Sequence, residues 1–239
     1  MKRFFCVLVF ISTFFFVIRS LGEGSLKADM VIDGEGGSLS LSPTFSLSVE
    51  PGATLTLRNI TVKNIRADSD LGPEASRLIM HDNTSLLILE NATLSFEGDY
   101  SFTQGGITFY ENNVFTGTGK FVYNSTYGST FASNGSLMVD RDLTFSYDSI
   151  VGNYNDLLNF EDSTSVFHLK TCTLHVTTTG LQMTKGTLLI EGAVSFFSES
   201  VVLDYGIIWG DGTSANNLII DIPPAGDLNY SGPIRNKNV

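Results

Sequence analysis

The sequence predicts an all-β fold: a single-domain right-handed parallel β-helix, or β-solenoid, that follows an N-terminal signal peptide. Three observations support this prediction. Short strands of alternating apolar and polar residues recur along the chain, and polar corners join them in pairs. Glycine and proline punctuate these strands, and no stretch shows apolar residues at helical three-four spacing. Short strands that bend at corners and repeat are typical of a coil that stacks on itself.

Five copies of one pattern carry the prediction: an apolar-x-apolar strand, a polar corner and a second apolar-x-apolar strand. The copies begin at Leu55, Leu87, Leu137, Phe167 and Leu188. Equivalent second strands are expected to contain Thr61, Thr93, Thr144 and Thr173. Extra strands are expected in the gaps at 107–110, 120–123 and 157–160, so one coil takes roughly 20 to 25 residues. An antiparallel β-sandwich is the competing architecture.

The first segment, residues 1–22, is predicted to be a signal peptide. A basic start at Lys2 and Arg3 precedes the apolar run 4–18, and small residues follow at Ser20 and Gly22. The apolar run is shorter than the roughly 20 residues of a membrane-spanning helix. An uncleaved membrane anchor is the alternative. We therefore expect a secreted or cell-surface (envelope) protein with no transmembrane span beyond the signal segment.

The remaining chain divides into a β-solenoid domain at 23–222 and a loose tail at 223–239, which begins with two prolines. A polar insert at 70–77 is expected to form a loop or one helical turn. The phenylalanines are expected to form core ladders; they are Phe96, Phe109, Phe121, Phe145, Phe160 and Phe196.

The charge of the chain excludes some partners. The net charge is −11, and removing three basic residues with the signal makes it −14. Nucleic-acid binding requires a basic surface, so it is not expected. Cys172 is the one cysteine outside the signal segment, so an intramolecular disulfide is not expected there.

Two segments resemble known families. The segment Val31–Val62, VIDGEGGSLSLSPTFSLSVEPGATLTLRNITV, resembles the opening coils of pectin-lyase-like right-handed parallel β-helices. Gly105-Gly106-Ile107 followed by Phe109-Tyr110-Glu111-Asn112 is similar to the GG-I and F-x-x-N repeats of polymorphic outer-membrane proteins, a group of autotransporter passengers. The first resemblance implies a fold, and the second implies a surface-exposed repeat protein.

No catalytic, metal or cofactor residues are predicted. Hydrolases of this fold need paired carboxylates at a defined separation, and the closest local group, Asp140-Arg141-Asp142, is expected to form a turn. The N-T-D, D-D, G-H-G and R-I-K motifs of polygalacturonase-like proteins do not occur in the sequence. His168, Cys172 and His175 could in principle bind zinc. Strand alternation instead predicts the two histidines outside and the cysteine inside.

Several residues have a structural interpretation. The corner residues are expected to be solvated; they are Arg58, Glu90, Asp140, Lys170 and Glu191. Asn59 and Asn91 are expected to form a short asparagine ladder, and Trp209 is expected to cap the last coil. Six N-x-Ser/Thr sequons begin at Asn59, Asn83, Asn91, Asn124, Asn134 and Asn229.

The sequence therefore predicts an exported scaffold or adhesin-like protein that displays side chains along a rigid rod. Glycans or cell-surface proteins are the expected partners. The alternative is a polysaccharide-degrading enzyme, a lyase or glycoside hydrolase, built on the same fold.

Overall fold

The computed structural model describes residues 6–9, 25–67, 76–125, 127, 129–147, 158–176, 181–183, 185–198, 208–210, 216–221 and 228–230. Within these residues the chain forms strands and no helix, so none of the described segments is a candidate membrane-spanning helix. In chain order the strands are β1 (Cys6–Val9), β2 (Ser25–Leu26), β3 (Met30–Asp33), β4 (Ser38–Ser40), β5 (Leu47–Val49), β6 (Thr54–Ile65), β7 (Leu78–Met80), β8 (Leu86–Phe96), β9 (Tyr100–Phe102), β10 (Gly106–Phe109), β11 (Asn113–Gly117), β12 (Lys120–Tyr123), β13 (Ser129–Phe131), β14 (Ser136–Asp140), β15 (Thr144–Tyr147), β16 (Leu158–Phe160), β17 (Val166–Lys170), β18 (Thr173–Val176), β19 (Leu181–Met183), β20 (Gly186–Glu191), β21 (Val194–Ser198), β22 (Ile208–Gly210), β23 (Asn216–Asp221) and β24 (Leu228–Tyr230).

Each coil of the chain contributes strands to three faces. The first face contains β3, the amino-terminal halves of β6 and β8, β10, β13 and β16. The second face contains β4, the carboxy-terminal halves of β6 and β8, β11, β14, β17, β20 and β23. The third face contains β2, β5 and β7 in one sheet and β9, β12, β15, β18, β21 and β24 in another. The strands β19 and β22 pair with each other.

All pairings between the described strands are parallel, which confirms the all-β parallel solenoid and excludes the antiparallel sandwich. Coils differ in length. Leu57 pairs with Leu89, thirty-two positions later, whereas Leu89 pairs with Phe109, twenty positions later. The coil that follows Leu57 is therefore longer than the predicted range. The extra strands expected in the gaps are present as β10, β12 and β16.

Inward side chains stack from coil to coil and form the core. On the first face, the ring centroids of Phe109 and Phe131 are 4.7 Å apart, and those of Phe131 and Phe160 are 4.5 Å apart. On the third face, Phe121 lies 5.3 Å from Phe145. The six phenylalanines predicted to be core residues are all buried. Such stacks supply burial and aromatic contacts from one described coil to the next.

The corners contain residues with left-handed backbone conformation. Asn59 and Asn91, with φ of 47° and 51°, lie between the first and second faces. The Asn91 Nδ2 atom donates to Asn59 Oδ1 at 2.9 Å, and Asn59 Nδ2 donates to Asp33 Oδ1 at 3.3 Å. The predicted asparagine ladder is therefore confirmed. Asparagine tolerates this conformation better than most residues, because its short side chain can form local hydrogen bonds.

A second set of corners lies between the second and third faces. There Arg141, Thr171 and Gly192 have φ of 61°, 48° and 74°. The five sequence copies therefore belong to two groups: those at Leu55 and Leu87 cross the first kind of corner, and the other three cross the second kind.

The prediction that all the second strands are equivalent is wrong. Thr61 pairs with Thr93 on the second face, whereas Thr144 pairs with Thr173 on the third face. Both kinds of corner join two alternating strands through a left-handed residue, so the local pattern is the same at two places in each coil.

The five corner residues expected to be solvated are half-buried, and four of them form ion pairs between adjacent coils. Arg58 pairs with Glu90, and Lys170 Nζ lies 3.0 Å from Glu191 Oε1. The pKa of Glu191 is lowered, chiefly because Lys170 donates a hydrogen bond to its carboxylate. Ion pairs this accessible to solvent contribute little stability, so they complement the stacking and do not determine it.

Two strands lie in the terminal segments. The strand β1 is within the predicted signal peptide and pairs in parallel with β3, from Cys6 opposite Met30 to Val9 opposite Asp33. The strand β24 is within the predicted tail and pairs with β21. When the predicted signal segment is retained, β1 therefore adds one strand to the first face, next to β3.

Candidate functional site

The third face is interrupted between β7 and β9, and a cleft with a volume of about 690 Å³ lies there. The other two faces continue across this level, because β6 and β8 pair from Thr54 opposite Leu86 to Ile65 opposite Phe96. The interruption is therefore internal to the solenoid and not one of its ends. A volume of this size is in the range of ligand-binding pockets.

Hydrogen bonds show which way the edge of β7 points. The Leu47 N–H donates to the Arg77 carbonyl at 2.9 Å, and the His81 N–H donates to the Val49 carbonyl at 3.0 Å. Alternate residues of a parallel strand bond to opposite neighbours. The backbone groups of Leu78 and Met80 therefore face away from β5 and into the cleft.

The edge of β9 faces the cleft from the other side. The Asn124 N–H donates to the Phe102 carbonyl at 3.1 Å, so Phe102 bonds to β12. By the same alternation, the N–H and C=O of Ser101 point toward β7. Among the described residues, no strand pairs with either of these two edges.

Side chains satisfy only part of this exposed backbone. The Leu78 carbonyl accepts hydrogen bonds from the hydroxyls of Tyr100, at 2.9 Å, and Ser76, at 2.5 Å. Burial raises the pKa of Tyr100, so its hydroxyl remains a donor at neutral pH. The backbone groups of Met80 and Ser101 have no such side-chain donor or acceptor in the described structure.

The chain leaves the coil next to the cleft and rejoins it there. Ala67 and Ser76 form an antiparallel bridge, and the Ala67 N–H donates to the Asp99 carbonyl at 2.8 Å. Both Ala67 and Ser76 line the cleft. Residues 68–75 lie outside the described part of the chain, so most of the insert predicted at 70–77 does too.

Ser48, His81 and Glu50 lie together beside the cleft but do not form a catalytic triad. Ser48 Oγ lies 2.6 Å from His81 Nε2, and Glu50 Oε1 lies 3.9 Å from the same nitrogen. In a serine–histidine–acid triad the acid holds the other ring nitrogen, so that the imidazole can accept the serine proton. Here the hydroxyl and the carboxylate approach one nitrogen, and this geometry does not provide that relay.

One carboxylate lines the cleft and a second follows one of its lining residues. Asp99 lines it and is exposed, and Asp82 follows His81, which also lines it. The pKa of Asp82 is lowered, chiefly by the hydrogen bond from the Thr84 hydroxyl, so Asp82 is ionised at neutral pH. A ligand with positive charge is favoured here by simple electrostatics.

The residues considered from sequence lie elsewhere. Asp140-Arg141-Asp142 forms a turn in which Arg141 and Asp142 both have φ of 61°, and the Arg141 N–H donates to Asp140 Oδ1 at 2.7 Å. This agrees with the predicted turn. Trp209 lies in β22, but its side chain is outside the described part of the structure.

His168, Cys172 and His175 do not converge. Cys172 is buried as predicted, and burial raises its pKa to about 12. His168 Nε2 lies 2.9 Å from Glu191 Oε2, on the outside of the second face. His175 is on the outer side of its strand by alternation with the buried Leu174, but it is covered: it is 4 % exposed, and its Nδ1 atom lies 2.9 Å from Ser146 Oγ. No cluster of three potential metal ligands occurs in the described residues.

Compared with protein-family models, curated proteins and solved structures, the chain shows no significant match. The description of the fold and the cleft therefore depends on the sequence and structure of this chain alone. Sequence reasoning did not find the cleft. The polar insert after Ile65 and the long gap between the copies at Leu55 and Leu87 are the signals that mark its position.

Proposed function

We propose that the protein is an exported, non-enzymatic binding scaffold, and that the cleft between β7 and β9 holds an extended segment of a cell-surface protein. The observation that supports this most directly is the pair of strand edges, at Met80 and Ser101, that face one cavity and pair with no other described strand. Extended peptides bind such edges through main-chain hydrogen bonds.

The charge near the cleft favours a basic segment. Asp82 and Asp99 are close to the two edges, and the chain as a whole has a net charge of −11. A Lys- or Arg-containing segment would gain attraction and a faster encounter. Raising the salt concentration from 0.1 M to 1 M would then weaken binding, because the screening length falls to about 3 Å.

A selection from random linear peptides displayed on phage tests the proposal. Ser101→Pro removes the amide donor that faces the cleft and leaves the Phe102 bond to β12 in place. The residue before a proline must be extended, and Tyr100 already is. Peptides enriched on the wild-type chain should bind the proline variant about fivefold more weakly, since one hydrogen bond contributes about 1 kcal/mol.

Ser101→Ala is the matched control, because it removes the hydroxyl and retains the amide. It should bind the same peptides as the wild-type chain. Peptides that bind all three chains equally would contradict a site at this edge. Shortening of a polysaccharide during incubation with the secreted chain, measured by size-exclusion chromatography, would instead support the enzyme alternative.

A further inference from the structure

Five of the six sequons begin within the described side chains, and four of their asparagines are in two kinds of environment. Asn59 and Asn91 are members of the ladder, in which each Nδ2 atom donates to the coil before it. Asn83 and Asn134 lie exposed at the tips of turns. The sequon of Asn124 extends to Thr126, which is outside the described residues.

The side-chain nitrogens of the ladder asparagines already donate hydrogen bonds. The Asn91 backbone N–H donates to the Glu111 carbonyl at 2.9 Å on one side, and its side-chain nitrogen donates to Asn59 on the other. A sugar on Nδ2 would therefore compete with the hydrogen bond that joins Asn91 to the ladder.

The turn asparagines differ in their side-chain amides, while the backbone of Asn134, with φ of 60°, is left-handed like that of Asn91. Each of these turns is joined to a neighbouring coil by a threonine hydroxyl and not by the asparagine amide: the Gly52 N–H donates to Thr84 Oγ1 at 2.7 Å, and the Asn134 N–H donates to Thr164 Oγ1 at 2.8 Å. The side-chain amides of Asn83 and Asn134 make no hydrogen bond in the described structure. A bulky substituent at either amide would extend into solvent.

We infer that Asn83 and Asn134 are sites of N-linked glycosylation and that Asn59 and Asn91 are not. This inference rests on the proposed export, because the modification requires entry into a secretory pathway. The folded, secreted protein would then carry glycans at turn tips and none within the asparagine ladder.

Site-resolved mass spectrometry of the secreted protein tests the inference. The full chain would be expressed in a eukaryotic secretory cell line, purified from the medium and treated with peptide-N-glycosidase in ¹⁸O-water, which marks each formerly occupied asparagine. We expect label at Asn83 and Asn134 and none at Asn59 and Asn91. Label at Asn59 or Asn91 of the secreted protein would overturn the inference. The absence of label from Asn83 and from Asn134 together would overturn it too.

A second chain separates failure of this inference from failure of export. In it, a heterologous signal sequence replaces residues 1–22. If the chain with its own first residues stays in the cell while the second chain is secreted with label at Asn83 and Asn134, the glycan inference stands and export by residues 1–22 fails. As a control, Asn83→Gln and Asn134→Gln should each remove one glycan from the intact mass.

Discussion

At the scale of single residues, the corners depend on side chains that make a left-handed backbone tolerable. Asn91 combines φ of 51° with a 2.9 Å hydrogen bond to Asn59. Two replacements separate these contributions. Asn91→Gly removes the hydrogen bond but fits the backbone, whereas Asn91→Ala removes the bond and also strains the backbone.

We therefore predict that Asn91→Gly lowers the free energy of unfolding by about 1 kcal/mol. Asn91→Ala should lower it by about 2–3 kcal/mol, because a left-handed non-glycine residue adds about 1–2 kcal/mol. Urea denaturation of the two variants and the wild-type chain measures both values. Equal losses for the two variants would show that the backbone conformation at this corner is not left-handed.

Residue-scale features were predictable where they depend on neighbouring coils of similar sequence. The ladder at Asn59 and Asn91 follows two copies with the same corner residues, and the structure contains it. The burial of His175 was not predictable. Alternation places it on the outer side of its strand, but the side chain is nonetheless 4 % exposed and contacts Ser146.

At the scale of strands and corners, the close stacking of coils requires glycine where two backbones nearly touch. Gly117 has φ of +130°, and a β-carbon there would lie 2.0 Å from the Phe96 carbonyl oxygen of the preceding coil. Gly52, with φ of +73°, has no atom within 4 Å of the same position. Substitutions at Gly117 and at Gly52 can therefore be compared to separate the cost of steric overlap from the cost of a strained backbone.

Gly52→Ala should cost about 1–2 kcal/mol, the strain of a left-handed residue alone. Gly117→Ala should cost more, because the added methyl overlaps the backbone of the coil below and the corner must shift. Thermal and urea denaturation of both variants measure the difference. A loss at Gly117 no greater than that at Gly52 would contradict the register that places Gly117 opposite Phe96.

At the scale of the whole molecule, the sequence predicted the solenoid because alternation and corner spacing are local properties. It did not predict which strands pair across the third face. That pairing depends on the long coil between Leu57 and Leu89, which separates β7 from β9. A single sequence shows that extra chain is present there but not that two strand edges have no partner among the described strands.

The cleft is thus the feature on which the proposed function depends, and amide hydrogen exchange measured by nuclear magnetic resonance tests it most directly. The amides of Met80 and Ser101 should exchange fast, because they face the cleft without a strand partner. The amides of His81 and Asn124 should exchange slowly, since they bond to the carbonyls of Val49 and Phe102 on the opposite edges. Equal protection of all four amides would mean that the third face is continuous, and it would contradict the binding site proposed for this protein.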